Sequence, residues 1–264
     1  MATKMQSITQ LAQETLAELT DNVQTWETFL MSAAWLYKYP FHEQVLIYAQ
    51  RPDARACATM DLWNKTMKRW VNTGSKGIAL IDDSGIKPKL KYVFDVSDTH
   101  SLTEIPFVLW QQSEKDEEQI VEELSDHFGA IKGYDELPFS DKLFEIVSNT
   151  VADNLGDYYD ELIKCTDGSI LEGRDGLEVY TEYQQLVEDS VHYCLLTRLG
   201  IFAREYYEPQ RFGDLVDFNT PEMVSQLGSA VGDISEILLR QVERTVISIR
   251  REERDTFAKN SKAP

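Results

Sequence analysis

The residues most able to do catalytic chemistry are spaced so that they cannot do it together. His42, His100, His127 and His192 stand far apart; none lies four residues from another or beside a cysteine pair, so no metal-ligand spacing is present. His42-Glu43-Gln44-Val45-Leu46 opens like the H-E-x-x-H helix of zinc proteases, but Leu46 occupies the place of the second imidazole. Cys57, Cys165 and Cys194 are odd in number and scattered, which gives neither a disulfide framework nor a zinc ribbon. There is no G-x-x-x-x-G-K-[ST] phosphate loop, and Gly74-Ser-Lys-Gly77 is only a compact turn carrying a lysine. The chain is expected to have no catalytic residues, metal or cofactor, and not to be an enzyme by itself.

Binding chemistry is better represented. Between Trp26 and Trp70 there are nine aromatic residues in 45 positions: Trp26, Phe29, Trp35, Tyr37, Tyr39, Phe41, Tyr48, Trp63 and Trp70. Lys38, Arg51, Arg55, Lys65, Lys68, Arg69 and Lys76 are interleaved with them or close by. Flat rings stack on unpaired bases and cations meet phosphates, so this is the mixture a single-strand binder needs. Helical spacing equally suits Trp26, Phe29 and Tyr37, with Trp63, to a core. Tyr39, Trp70 and the loop cations divide evenly between exposure and burial.

The elements that must position these groups are readable from period and punctuation. Apolar spacing predicts a helix over 5–20, then one capped by Asp21 or Asn22 that runs through Tyr37 to a stop at Pro40. A third spans Phe41 to Gln50 and stops before Arg51-Pro52. Residues 54–59 read as a short strand, and Thr59 or Asp61 caps a helix through Leu62, Trp63 and Met67. Residues 68–77 read as turns, 78–82 as a strand, 82–89 as a hairpin loop and 90–96 as the returning strand. Beyond Ser113 the chain turns acidic and helical, with helices over 114–128, about 139–164, 177–199, and from Thr220 through Ile249 into a frayed polar tail. The expected fold class is α+β: N-terminal helices with a small antiparallel sheet, followed by a mostly helical second half. Two domains are expected, 1–112 and 113–264.

Net charge is -19, which opposes phosphate binding unless the charge is unevenly spread. It is uneven. Residues 34–96 hold ten Lys/Arg and six Asp/Glu, whereas the other 201 residues hold sixteen and thirty-nine. Screening within about 8–10 Å at cellular salt allows a basic face to coexist with an acidic remainder. No run approaches the roughly 18 apolar residues of a membrane span. The N-terminus lacks the pattern of a signal peptide, so a cytoplasmic location is expected.

The order of the blocks is also familiar. Trp26-x-x-Phe-Leu, then Tyr39-Pro-Phe-His-Glu-Gln-Val-Leu-Ile-Tyr-Ala-Gln-Arg-Pro-Asp-Ala, then Trp63, then Gly74-Ser-Lys-Gly-Ile-Ala-Leu-Ile, then Val93-Phe-Asp-Val-Ser-Asp-Thr resembles the N-terminal domain of ArdC-type antirestriction proteins. Such domains also stand at the front of large helicase/methylase proteins of integrative and conjugative elements. The resemblance covers about 75 residues in five ordered blocks. It implies single-stranded-DNA binding in the protection or handling of DNA transferred by a mobile genetic element. Carried over by position, it marks Gln44, Gln50, Arg51, Trp63, Lys76, Gly77 and Phe94; where the family has asparagine in the second helix, Glu43-Gln44 stands here. Residues 183–201 resemble a later helix of the metallopeptidase domain that follows in ArdC proteins, without its H-E-x-x-H helix upstream.

Three readings result. The first is a single-stranded-DNA binder contacting its ligand through Tyr39, Gln44, Gln50, Arg51, Arg55, Trp63, Lys65, Lys68, Arg69, Trp70 and Lys76. The second is an acidic inhibitor whose carboxylates engage a host defence protein; the acidic half is the expected contact for defence or conjugation proteins. The third is a non-catalytic module of a larger helicase/methylase.

Overall fold

The structure, a computed structural model, describes residues 3–101, 107–131 and 136–260. Its first helix, α1 (Lys4–Leu19), starts in a capping box between Thr3 and Gln6. Asn22 caps α2 (Val23–Ala33). That helix stops short of the predicted end at Pro40. The amides of Trp35, Leu36 and Tyr39 instead bond three residues back, to Ser32, Ala33 and Leu36. Gln44 Nε2 donates to the carbonyls of Leu36 (3.2 Å) and Tyr39 (2.9 Å). These partners satisfy backbone groups that a continued helix would have paired internally. Helix α3 (Phe41–Gln50) lies between its two prolines as expected.

A small β region follows. Strand β1 (Cys57–Ala58) and helix α4 (Met60–Lys65, capped by Thr59) precede β2 (Arg69–Val71), β3 (Ile78–Asp82), β4 (Lys89–Asp95) and β5 (Thr99–Ser101). One antiparallel sheet has the order β1-β4-β3, with Ile78 opposite Val93 and Cys57 opposite Asp95. A second pairs β2 with β5, placing Arg69 opposite Ser101 and Trp70 opposite His100. Thus β2 lies inside the segment predicted as turns.

The rest is helical: α5 (Glu117–Phe128), α6 (Phe139–Ile163), α7 (Gly176–Leu199) and α8 (Pro221–Asn260). The architecture is α+β. Helix α8 does not fray after Ile249. Arg250 pairs with Asp116 and Glu253, and Lys115 with Glu253, so the charged end is anchored as helix. Residues 261–264 of the expected tail lie outside the described residues. Among the described residues no helix is long and apolar enough to cross a membrane.

Packing joins the front of the chain to the helices behind it. One cluster of buried side chains includes Trp26, Phe29 and Phe41 together with Leu195, Leu227 and Leu238. Each such side chain contributes roughly 1.5–3 kcal/mol of transfer free energy. Trp26 Nε1 donates to Ser190 Oγ at 2.9 Å, so the polar end of this buried ring is satisfied. Smaller clusters lie under the sheets: Leu46, Ile47, Ile78, Leu80 and Val93 form one, and Ala58, Trp63 and Phe94 the other.

Candidate nucleic-acid interface

Three of the eleven residues expected to touch DNA line one cavity. Tyr39 comes from the turns after α2, Arg55 from the segment entering β1, and Trp63 from α4. The cavity holds about 350 Å³. Its lining includes the buried side chains of Leu36, Trp63 and Arg198 and the exposed ones of Lys38, Arg55, Leu62 and Met67.

Local structure explains each placement. The Asp95 carboxylate accepts from the amides of Arg55 (2.8 Å) and Ala56 (3.0 Å) and from Ser97, which sets the backbone from which Arg55 projects. Burial works against that carboxylate's charge, but these donors win and hold its pKa below the usual range. Tyr39 donates its hydroxyl to the Cys57 carbonyl at 2.7 Å, and burial raises its pKa. Trp63 Nε1 donates to the Phe94 carbonyl at 2.8 Å, and its ring meets Phe107 edge-on.

Cations and rings alternate through the site. The Arg55 guanidinium lies 4.4 Å from the centre of Trp35. Arg198 contacts both Trp35 (4.6 Å) and Trp110 (3.4 Å), and Arg69 lies over Phe107 at 5.7 Å. Arg198 comes from α7, only 3% exposed. Its one side-chain hydrogen bond among the described residues runs to the Trp110 carbonyl at 3.0 Å. Burial pushes its pKa down to about 10, so it remains charged at neutral pH. Among the described residues the single carboxylate of the cavity, Glu243 on α8, accepts from Tyr37 (2.8 Å) and Lys38 (2.7 Å). Among the described residues neither Arg55 nor Arg198 has an ion-pair partner.

The other expected contacts divide. Arg69 adjoins the cavity through Phe107, while its own donors bind Thr99. Lys68, Trp70 and Lys76 are exposed on or near β2 and the turn after it. Lys65 is exposed and paired with Asp61 on its own helix. Gln44 is buried and braces the turn before α3. Gln50 spans to β3, donating to the Ala79 carbonyl and accepting from the Ala79 amide at 2.9 Å each. Arg51 is engaged by Asp98 and Ser97. Gln44, Gln50 and Arg51 therefore position the scaffold. Gly77 and Phe94 form a packing pair too, since a Cβ on Gly77 would come within 3.1 Å of the Phe94 ring.

Sequence reasoning passed over Arg198, Trp110 and Glu243. Nothing local marks them: Arg198 ends the run Cys194-Leu-Leu-Thr-Arg, where it reads as a cation at a helix C-terminus. The larger, open cleft between α6, α7 and residues 206–211, about 670 Å³, carries Asp141, Glu145 and Glu208 around an Arg211 already paired with Asp189. That charge repels a phosphate chain. Among the described residues no group of His, Cys, Asp and Glu is placed to hold a metal ion.

Compared with protein-family models, curated proteins and solved structures, the chain matches none.

Proposed function

We propose that the chain is a single-stranded-DNA-binding protein and that the cavity bounded by Arg55, Trp35, Arg198 and Trp110 is the centre of its interface. The observation that carries this reading is the pair of arginines without ion-pair partners among the described residues, one from the basic segment and one from α7, held against tryptophan rings. Duplex bases are stacked and cannot enter such a site, whereas an unpaired strand presents both ring faces and phosphates. The resemblance to ArdC N-terminal domains supports placing this binding in the protection or handling of transferred DNA, without catalysis by this chain.

Fluorescence anisotropy with single- and double-stranded oligonucleotides tests it. Single strands are expected to bind more tightly than duplex. With about four phosphate contacts, affinity should fall roughly 50-fold between about 50 and 200 mM salt. Arg55→Ala is expected to weaken binding about tenfold, and Arg69→Glu with Lys76→Glu further. Equal affinity for duplex, or no binding of either at low salt, overturns the reading. Co-elution with a nuclease in the absence of oligonucleotide binding would replace it with the acidic-inhibitor alternative.

A further inference from the structure

Resting on that reading, we infer that the cavity is the seat of a strand end, taking one nucleotide through its terminal phosphate monoester, with Arg198 and Arg55 on the phosphate. Arg198 is the first argument. A guanidinium offers five N–H donors in its plane, and here a nearly fully buried one uses a single bond among the described residues, to Trp110. Its faces rest on rings, which compensates the charge only in part. An anion reaching its free edge supplies the missing partner, and a bidentate phosphate matches that geometry.

Size and shape are the second argument. About 350 Å³ lies near the lower end of small-ligand sites, roughly 300–1,000 Å³, which is room for one nucleotide rather than a run of them. A continuing strand needs room for its neighbours on both sides of the seated nucleotide, whereas a chain end needs it on one side only. Charge is the third argument: a phosphate monoester carries about -1.5 to -2 at neutral pH, matching two arginines that have no ion pair among the described residues better than the single charge of an internal diester. Glu243 is hydrogen-bonded to Lys38 and Tyr37, and its charge reaches Arg198 without forming an ion pair with it.

The test uses the full chain and single-stranded oligonucleotides with a 5′-phosphate, a 3′-phosphate, or hydroxyls at both ends, read by anisotropy from a mid-strand label. In parallel, tryptophan fluorescence is titrated with a deoxynucleoside monophosphate and with the unphosphorylated deoxynucleoside. One phosphorylated end is expected to bind about tenfold tighter than the hydroxyl control, the two arms revealing which end. The monophosphate, and not the nucleoside, should quench. Arg198→Lys, and separately the exposed Arg55→Ala, should weaken binding of every oligonucleotide and at the same time remove the difference between phosphorylated and hydroxyl ends; Arg55→Ala serves should the buried variant fail to fold. Equal binding of all ends overturns the inference and leaves the single-strand reading standing. Failure of every oligonucleotide with retained monophosphate quenching overturns the polynucleotide reading while the phosphate site stands. Failure of both overturns both.

Discussion

The seam between the N-terminal helices and α8 offers a sharp test, because two glycines one turn apart on α8 face it differently. A Cβ built on Gly228 would lie 2.1 Å from two atoms of the Phe41 ring and 2.5 Å from a third. One built on Gly232 would meet nothing closer than 3.8 Å, at Gln44 Oε1 and Phe41 Cβ. Both substitutions to alanine gain the same helix propensity, about 0.8–1.0 kcal/mol. For Gly232→Ala that gain is the whole effect, a stabilisation of about 1 kcal/mol. Gly228→Ala must also displace Phe41, which is buried and packed edge-on against Phe29 at 5.6 Å. Overpacking of this kind costs typically about 1–3 kcal/mol. The expected net result is a destabilisation of up to about 2 kcal/mol and a gap of about 1–3 kcal/mol between the two variants. Urea denaturation followed by far-UV circular dichroism reads both midpoints. Adding Phe41→Leu to Gly228→Ala should recover part of the loss as coupling between neighbours. If Gly228→Ala is as stable as Gly232→Ala, the packing of α3 on α8 described above is wrong.

Two further outcomes are expected. His192 donates from Nε2 to the Ser140 carbonyl (3.0 Å), so its Nδ1 accepts from the Tyr207 hydroxyl (2.7 Å) in a neutral, buried ring; burial pushes its pKa from 6.5 down to about 4. The unfolded chain then binds the extra proton between these values, so this contribution is complete above about pH 6.5 and is lost as pH falls towards 4. Urea midpoints across that range should fall, and His192→Gln should flatten the slope; an unchanged slope would discard the assignment. Gln50→Glu removes the donor that the Ala79 and Leu46 carbonyls share and is expected to cost about 1–3 kcal/mol in thermal stability, with oligonucleotide affinity per folded molecule unchanged; a selective loss of affinity would return Gln50 to the interface.

What could be read from the sequence was what is local. Pro40 and Arg51-Pro52 bracket α3, and Ile78–Asp82 forms a strand where an apolar run meets a hairpin loop. Strand β2 escaped because its partner, β5, lies about thirty residues on and neither is apolar enough to announce itself. Helix α8 outran its predicted fray because its anchors, Lys115 and Asp116, come from a distant turn. The site divides in the same way. Tyr39, Arg55 and Trp63 belong to the aromatic, basic segment and were visible in it, whereas Arg198 and Trp110 acquire meaning only where α7 crosses Trp35. Gln44 and Gln50 carry donors a nucleic acid can use, but the backbone beside them uses those donors first.

The acidic total is reconciled with phosphate binding by where the carboxylates are spent. Within the front of the chain, Glu43 is held by Lys91, Asp61 by Lys65, Asp82 by Lys89 and Asp98 by Arg51. Asp95 is surrounded by backbone and hydroxyl donors. Within residues 34–96, the groups without an ion pair among the described residues are then Arg55, Lys68, Arg69, Lys76 and Lys87 against the one carboxylate of Asp83, with Arg198 also unpaired in the cavity. Beyond about 8–10 Å the remaining carboxylates are screened at cellular salt, so they slow approach more than they weaken contact. A duplex, with two phosphate chains and no free ring faces, meets that repulsion without compensation. On the proposed reading, an unpaired strand trades it for stacking and for two arginines that have no ion-pair partner among the described residues.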